Sequence, residues 1–105
     1  MITKKRKGTT LLLTYFSGVC QTKKVAWLGG YFMCPTTFHV TEVFTEPDWR
    51  HQGIATALFK RLFYELKKNK IQQITLDDCS DIDDYYLKLG FHYLEEGYPE
   101  MVMRL

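Results

Sequence analysis

The chain is poor in cysteine and proline and has no long apolar run. Its three cysteines, Cys20, Cys34 and Cys79, are odd in number and form no C-x-x-C pair, which argues against a disulfide framework and a zinc ribbon. Apolar runs such as residues 10–16 are too short to cross a bilayer, and no segment with the composition of a leader peptide precedes them. We therefore expect a cytoplasmic protein with no membrane partner.

The length and composition of the chain are those of one globular domain. The 105 residues can bury a core of their own, and 46% are apolar and 25% charged. We predict a single domain over residues 1–105, of which residues 1–8 form a flexible basic tail. A formal charge of +2 and one short basic segment do not favour nucleic acid as a partner.

Hydrophobic periodicity predicts the element order β-β-β-α-β-α-β-β. Two strands form a hairpin, a third follows, and the best helix has apolar residues at helical spacing. A second helix begins with a capping-box pattern at Ser80 and ends at Gly90. The predicted strands are residues 9–17, 25–34, 38–45, 73–76, 91–94 and 101–105, and the long helix is residues 54–70. Antiparallel strands followed by β-α-β indicate an α/β (α+β) fold, a mixed and mostly antiparallel sheet flanked by helices.

The loop between the third strand and the long helix is a candidate anion site. No carboxylate occurs from Trp49 through Tyr64, although helices usually begin with Asp or Glu in the first turn. Gly53 and Ala55 leave the backbone N–H groups of this turn accessible, and Arg50 is close in sequence. The alternative is that Gly53 only relieves a tight strand-to-helix turn.

Two motifs resemble those of the GNAT superfamily of N-acetyltransferases. The first, Arg50-x-x-Gly53-x-Ala55, opens the long helix and is similar to the family's acetyl-CoA motif. The second, residues 86–91 (YLKLGF), is similar to the family's Y-x-K-x-G-F segment. Together they imply acetyl-CoA as co-substrate and the family's fold, in which the third strand splays at a bulge.

The resemblance also implies the cofactor-binding residues. The pyrophosphate would lie on the loop of residues 50–56, and the pantetheine arm would pair with the preceding strand. The implied residues are Val43, Phe44, Thr45, Arg50, His51, Gln52, Gly53, Ile54, Ala55, Thr56 and Tyr86. The segment where the family often has Asn followed by Ala reads CSDI here, so Cys79 takes that place. The family's helices between its first two strands are also missing, since only residues 18–24 are available.

Acyl transfer to an amine needs a base, because an alkylamine with a pKa near ~10.4 is protonated at neutral pH. Simple alternation places Glu42 on a strand face with Phe38, Val40 and Phe44, where burial would raise its pKa, so Glu42 is our leading base. A bulge that turns this face outward would leave Glu42 solvated instead. His39, on the opposite face, is the second candidate. Tyr86 matches the family tyrosine proposed to protonate the leaving thiolate.

The sequence thus predicts an enzyme, an acetyl-CoA-dependent N-acetyltransferase that acts on a polyamine, a lysine side chain, an amino sugar or another small or peptide amine, with no metal. Five carboxylates within residues 77–84 would attract such a cation. The alternative is a degenerate member that binds CoA or a protein partner without turnover. The missing helices and 15% aromatic content favour a homodimer that covers the exposed side.

Overall fold

Seven strands and two α-helices make up the part of the chain that the computed structural model describes, residues 1–18, 23–77, 83–95 and 99–105. The strands are β1 (Ile2–Lys7), β2 (Thr10–Ser17), β3 (Lys23–Cys34), β4 (Thr37–Thr45), β5 (Gln73–Asp77), β6 (His92–Tyr93) and β7 (Glu100–Arg104). The helices are α1 (Ile54–Lys68) and α2 (Asp83–Leu89), and a 3₁₀ turn covers Pro47–Trp49. The predicted order of strands and helices is confirmed, with one strand added at the start.

All strands belong to one sheet in the order β1-β2-β3-β4-β5-β7-β6. The first four strands form an antiparallel meander, β4 and β5 are parallel, and β7 is antiparallel to both β5 and β6. The parallel pair needs a crossover connection, which α1 supplies. The sheet is therefore mixed and mostly antiparallel, as predicted.

Both helices pack on the same face of this sheet. The buried side of α1 includes Leu58, Leu62 and Leu66, each at most 1% exposed, and it covers the middle strands. The ring of Phe59 lies about 6 Å from the rings of Tyr85 and Tyr86, which joins α2 to α1. We call this the helix face; on the opposite face, the open face, no helix of the described residues packs. Neither described helix combines the length and apolarity that a membrane span requires.

Several predicted boundaries move by a few residues. The first helix ends at Lys68 rather than residue 70, because Asn69 caps it and Lys70 has a left-handed φ of 61°. The strand predicted at residues 91–94 shortens to His92–Tyr93. The predicted capping box at Ser80 lies outside the described residues.

The flexible tail predicted for residues 1–8 is wrong, since Ile2–Lys7 forms the edge strand β1. It pairs with β2 along its whole length, from Ile2 opposite Tyr15 to Lys7 opposite Thr10. Two of its basic side chains, Lys4 and Arg6, have partners on the helix face. The Arg6 guanidinium lies 4.2 Å from the centre of the Phe32 ring, a cation–π contact.

Lys4 connects β1 to α1 through a buried carboxylate. Its Nζ donates to Glu65 Oε2 at 3.0 Å, and Arg61 donates to the other carboxylate oxygen at 3.2 Å. Glu65 is only 4% exposed, so its charge depends on these donors. The Lys4 hydrogen bond lowers the pKa of Glu65 below its ordinary 4.5, and Arg61 assists, whereas burial opposes the shift.

We expect Lys4→Met to lower the free energy of unfolding by about 1–3 kcal/mol, because it removes a hydrogen bond from a buried charged group. Lys5→Met is the matched control, since Lys5 is exposed and points to the other face of β1. Urea unfolding of the two variants measures the difference. Equal stabilities would contradict a structural role for β1.

This contribution should also depend on pH. A pKa lowered in the folded state stabilises above the unfolded-state pKa, and the stabilisation is lost as pH falls through the lower folded-state value. The stability gap between wild type and Lys4→Met should therefore narrow below about pH 4.5, the ordinary pKa of the Glu65 carboxyl group. A gap that stays constant down to acid denaturation would argue against this assignment.

Candidate active site

The site begins where β4 separates from β5. Within the described residues, the parallel pairing of these two strands ends at Val40 opposite Leu76. On its other side β4 continues along β3, but the register shifts, so that Gly30 lies opposite Val40 and Gly29 opposite Glu42. Thr41 is thus the extra residue of a β-bulge, which bends a strand and increases its twist. Beyond the bulge, β4 has an edge that is not paired with β5.

The loop after β4 folds back on itself and leaves the start of α1 open. Arg50 Nε donates to the carbonyl of Thr45 at 2.9 Å, and the side-chain amide of Gln52 donates to the carbonyl of Asp48 at 3.3 Å. Gly53 precedes the helix with a φ of 80°, and no side chain caps the first turn. The first turn contains no acidic residue, so the positive end of the helix is uncompensated.

Gly53 has a left-handed backbone conformation and also borders open space. A Cβ added to Gly53 would meet no atom within 4 Å, so the position borders free space rather than another element. The N–H groups of a first helical turn have no partner within the helix. The open N-terminus of α1 thus has the features of an anion site, and the anion binding predicted for this loop stays a prediction.

A cleft of about 600 Å³ lies between the separated end of β4, this loop and the two helices. Its volume is in the range of small-molecule sites. It is lined by Val43, Phe44, Thr45, Trp49, Arg50, His51, Gly53, Ile54, Ala55, Thr56, Tyr85 and Tyr86. The cleft therefore joins the anion-binding turn to the unpaired strand edge.

Most residues predicted to bind the cofactor line this cleft. The exceptions are Gln52, which is not among the lining residues, and Cys79, which lies outside the described residues. Cofactor binding by these residues stays a prediction, but one cleft brings the majority together. Among the described residues, no group of three His, Cys, Asp or Glu side chains converges as metal ligands do.

Sequence reasoning missed two lining residues, Trp49 and Tyr85. Trp49 is a large aromatic residue in a polar loop, a visible signal, and it packs partly buried against the core. Tyr85 belongs to the apolar stripe of α2, but its hydroxyl lies 3.0 Å from Thr56 Oγ1 on α1. Burial raises the pKa of Tyr85, so this hydroxyl stays protonated at neutral pH and can donate.

Tyr86 is both a core residue and a cleft residue. It is 7% exposed, and its ring meets the rings of Phe59 and Phe91 edge to face with centroids about 6 Å apart. It also lines the cleft. The predicted role of Tyr86 as acid is compatible with this position and stays a prediction.

The bulge overturns the predicted faces of β4. Simple alternation placed Glu42 with Phe38 and Val40, and His39 on the opposite face. Because Thr41 is an extra residue, Glu42 and His39 instead lie together on the open face, opposite Gly29 and Tyr31 of β3. Glu42 is exposed, so the burial predicted around its carboxyl group is not found.

His39 has defined partners on the open face. Its Nδ1 lies 2.7 Å from Thr75 Oγ1 and its Nε2 lies 3.9 Å from Asp77 Oδ2, both on β5. The Tyr31 ring packs against the imidazole with centroids 5.6 Å apart. The second candidate base is therefore the more firmly held of the two.

Solved structures similar to this chain share its fold at low sequence identity. The PaiA N-acetyltransferase of Thermoplasma acidophilum, determined with coenzyme A, superposes with a TM-score of 0.79 at 16% identity over 92% of this chain. A GNAT family acetyltransferase of Staphylococcus aureus Mu50 superposes with a TM-score of 0.80 at 14% identity over 91% of this chain. A GNAT family acetyltransferase of Elizabethkingia anophelis, determined with acetyl-CoA bound, superposes with a TM-score of 0.71 at 16% identity over 92% of this chain.

The relatives are longer than this chain. It spans 62% of the Thermoplasma protein, 68% of the Staphylococcus protein and 77% of the Elizabethkingia protein. No curated protein sequence matches it. A family model, the acetyltransferase (GNAT) domain, matches residues 10–101, nearly the whole chain. The match covers the bulged strand, the open helix end and the cleft between them, and the chain therefore belongs to the GNAT acetyltransferase family.

Proposed function

We propose that this chain transfers the acetyl group of acetyl-CoA to a primary amine. The observation that carries the proposal is the cleft that joins the uncapped start of α1 to the unpaired edge of β4. A pyrophosphate and an extended pantetheine arm need these two surfaces side by side. Similar proteins determined with CoA or acetyl-CoA support this choice of ligand.

The anionic part of the cofactor suits the loop before α1. Backbone N–H groups and the helix dipole favour a diphosphate there, and Gly53 leaves room for it. The Nε of Arg50 is already used by the carbonyl of Thr45, which orients the guanidinium and leaves its terminal N–H groups for a phosphate oxygen. Thr56 and Tyr85 add hydroxyl groups on the α2 side of the cleft.

The pantetheine arm suits the strand edge beyond the bulge. Val43, Phe44 and Thr45 line the cleft at a level where β4 no longer pairs with β5. Amide groups of the arm can form strand-like hydrogen bonds to such an edge. The thioester would then lie near the gap between the two strands, within reach of the Tyr86 side of the cleft.

The chemistry requires three things at that gap. The amine must lose a proton, the carbonyl oxygen must be stabilised as it becomes an oxyanion, and the departing sulfur must be protonated. Backbone N–H groups at the bulge are suited to the oxyanion, and the Tyr86 hydroxyl to the sulfur. In the reaction a C–N bond forms and the C–S bond breaks, with its electron pair on sulfur.

The acceptor, the cytoplasmic location and the homodimer stay predictions. Because the structure adds β1, the first two strands are joined by residues 8–9 rather than by the predicted residues 18–24, and only residues 18–22 separate β2 from β3. Little chain is therefore available at either place to cover the open face. This openness is the observation that favours the alternative, a module that binds CoA without turnover. Isothermal titration with acetyl-CoA, together with a thiol-release assay over an amine panel, separates the two functions.

We expect Gly53→Glu to weaken acetyl-CoA binding at least about 100-fold, because it places a like charge where the diphosphate must lie. Gly8→Glu is the matched control. Gly8 has a similar φ of 60° and also borders open space, but it lies in the β1–β2 turn far from the cleft. Titration calorimetry of both folded variants measures the effect, and unchanged affinity in Gly53→Glu would refute the phosphate assignment.

We expect Tyr86→Phe to reduce turnover by at least about tenfold while the affinity for acetyl-CoA changes little, since a proton donor to the sulfur acts in the transition state. Phe keeps the ring contacts with Phe59 and Phe91. Tyr64→Phe, on the exposed side of α1, controls for loss of a hydroxyl. Equal turnover in wild type and Tyr86→Phe would leave Tyr86 a packing residue only.

A further inference from the structure

A group of polar side chains on the open face lies directly at the point where β4 and β5 separate. His39 is one residue before the last pair of these strands, and Asp77 follows Leu76, the last paired residue of β5. Since the cleft proposed for the cofactor is lined by residues of both helices, these residues border the same gap from the other face of the sheet. An acceptor that approaches from the open face meets them first.

The two ring nitrogens of His39 have different surroundings. Nδ1 is 2.7 Å from Thr75 Oγ1, a hydrogen bond in which the hydroxyl can accept. In that tautomer Nε2 is an acceptor, and it faces the Asp77 carboxylate at 3.9 Å, too far for a direct hydrogen bond. With the imidazole neutral, the two acceptors leave a space of this width between them that a donor group can occupy. A primary ammonium group offers three N–H donors and can contact both.

Glu42 is less well placed for the same task. Its carboxyl group lies over Gly29 of β3, where an added Cβ would be 2.8 Å from Oε1 and 3.2 Å from Leu12 Cδ1. It therefore leans toward β3 and β2, whereas the imidazole of His39 leans toward β5. The gap between the strands is on the β5 side of β4. The geometry therefore favours His39 over Glu42 as the base.

We propose that Asp77 holds the ammonium group of the acceptor and that His39 Nε2 takes its first proton. This inference rests on the proposed acetyl transfer. Thr75 and Tyr31 position the imidazole by the hydrogen bond to Nδ1 and by ring packing. The His39 side chain is 15% exposed, enough for contact with a ligand while its orientation stays fixed.

The protons balance as follows. The ammonium group gives one proton to His39, directly or through water, and the neutral amine attacks the thioester carbon. The C–N bond forms, the C–S bond breaks, and the thiolate receives the second proton of the nitrogen through the Tyr86 hydroxyl. His39 then returns its proton to water, so the net release is one proton for each amide formed.

A second cleft suggests what kind of amine fits. About 490 Å³ of space adjoins Asp77, lined also by Leu94, Glu95, Pro99 and Glu100. Three of these five residues are carboxylates and none is basic, so the cleft attracts cations. An acceptor with a second ammonium group along an aliphatic chain would place that group here while the first reacts. We infer a di- or polyamine in preference to a monoamine.

We expect His39→Gln to reduce kcat/KM for spermidine by about 100-fold or more at neutral pH, the usual contribution of a general base, with the affinity for acetyl-CoA unchanged. The deficit should narrow toward pH 10, where the amine loses its proton unaided. His92→Gln, an exposed histidine on β6, is the matched control. Full activity in His39→Gln, or loss of the ascending limb of the pH profile in Glu42→Gln alone, would overturn the assignment.

The pH profile must be interpreted with the other ionisable groups of this face in mind. Besides His39 they include three basic groups, Lys5 and Lys7 on β1 and Arg104 on β7, and also Tyr31 on β3, Glu42 on β4, Asp77 on β5, His92 on β6 and Glu100 on β7. Asp77→Asn should raise the KM for spermidine at least about tenfold and leave kcat closer to wild type, since it removes binding rather than proton transfer. An unchanged KM would contradict the ammonium site.

Two measurements on the wild-type protein complete the test. Spermidine added to the CoA complex should shift the imidazole ¹⁵N resonances of His39, and butylamine should be a poorer acceptor than spermidine. Absence of the shift would refute contact between the acceptor and His39. Equal use of the two amines would refute the preference for a di- or polyamine. A wild-type protein that binds acetyl-CoA and acetylates no amine would refute the proposed transfer itself, whereas an active enzyme indifferent to His39→Gln refutes only this inference.

Discussion

The β-bulge at Thr41 is the feature on which the rest of the site depends. One extra residue in β4 ends its pairing with β5 at Val40 and so creates both the free strand edge and the gap between the strands. The same residue reverses the alternation of side chains, which brings Glu42 to the face of His39. A regular strand would have neither a cofactor edge nor these two polar groups on one side.

The bulge in turn depends on a glycine of the neighbouring strand, Gly30. A Cβ on Gly30 would collide with the backbone carbonyl oxygen of His39, whereas a Cβ on Gly29 would meet only side-chain atoms of Glu42 and Leu12. Backbone cannot yield to such contacts as a flexible side chain can, so β3 must be glycine at the point of close approach. Between residues 25 and 34, where β3 is otherwise apolar and aromatic, the pair of glycines was the available sequence signal of the bulge.

Local patterns predicted most of this structure, and long-range contacts explain what they missed. The open start of α1 and the cleft residues around Gly53 could be predicted because they lie within a dozen consecutive residues. The edge strand β1 could not be predicted in this way, because its residue Lys4 is held by Glu65, which is 61 residues away in the sequence. The face of Glu42 could not either, since strand periodicity assumes a regular register and a single bulge reverses it.

Charge placement, rather than net charge, separates the two sides of the proposed reaction. The overall charge of +2 is small, yet the cofactor side has an uncompensated helix end and Arg50, whereas the acceptor side has Asp77, Glu95 and Glu100. In the proposed reaction, an anionic cofactor and a cationic acceptor would thereby be drawn to opposite ends of one gap. Because the strands themselves form that gap, the proposed reaction does not require a helix over the open face to bring the two reactants together.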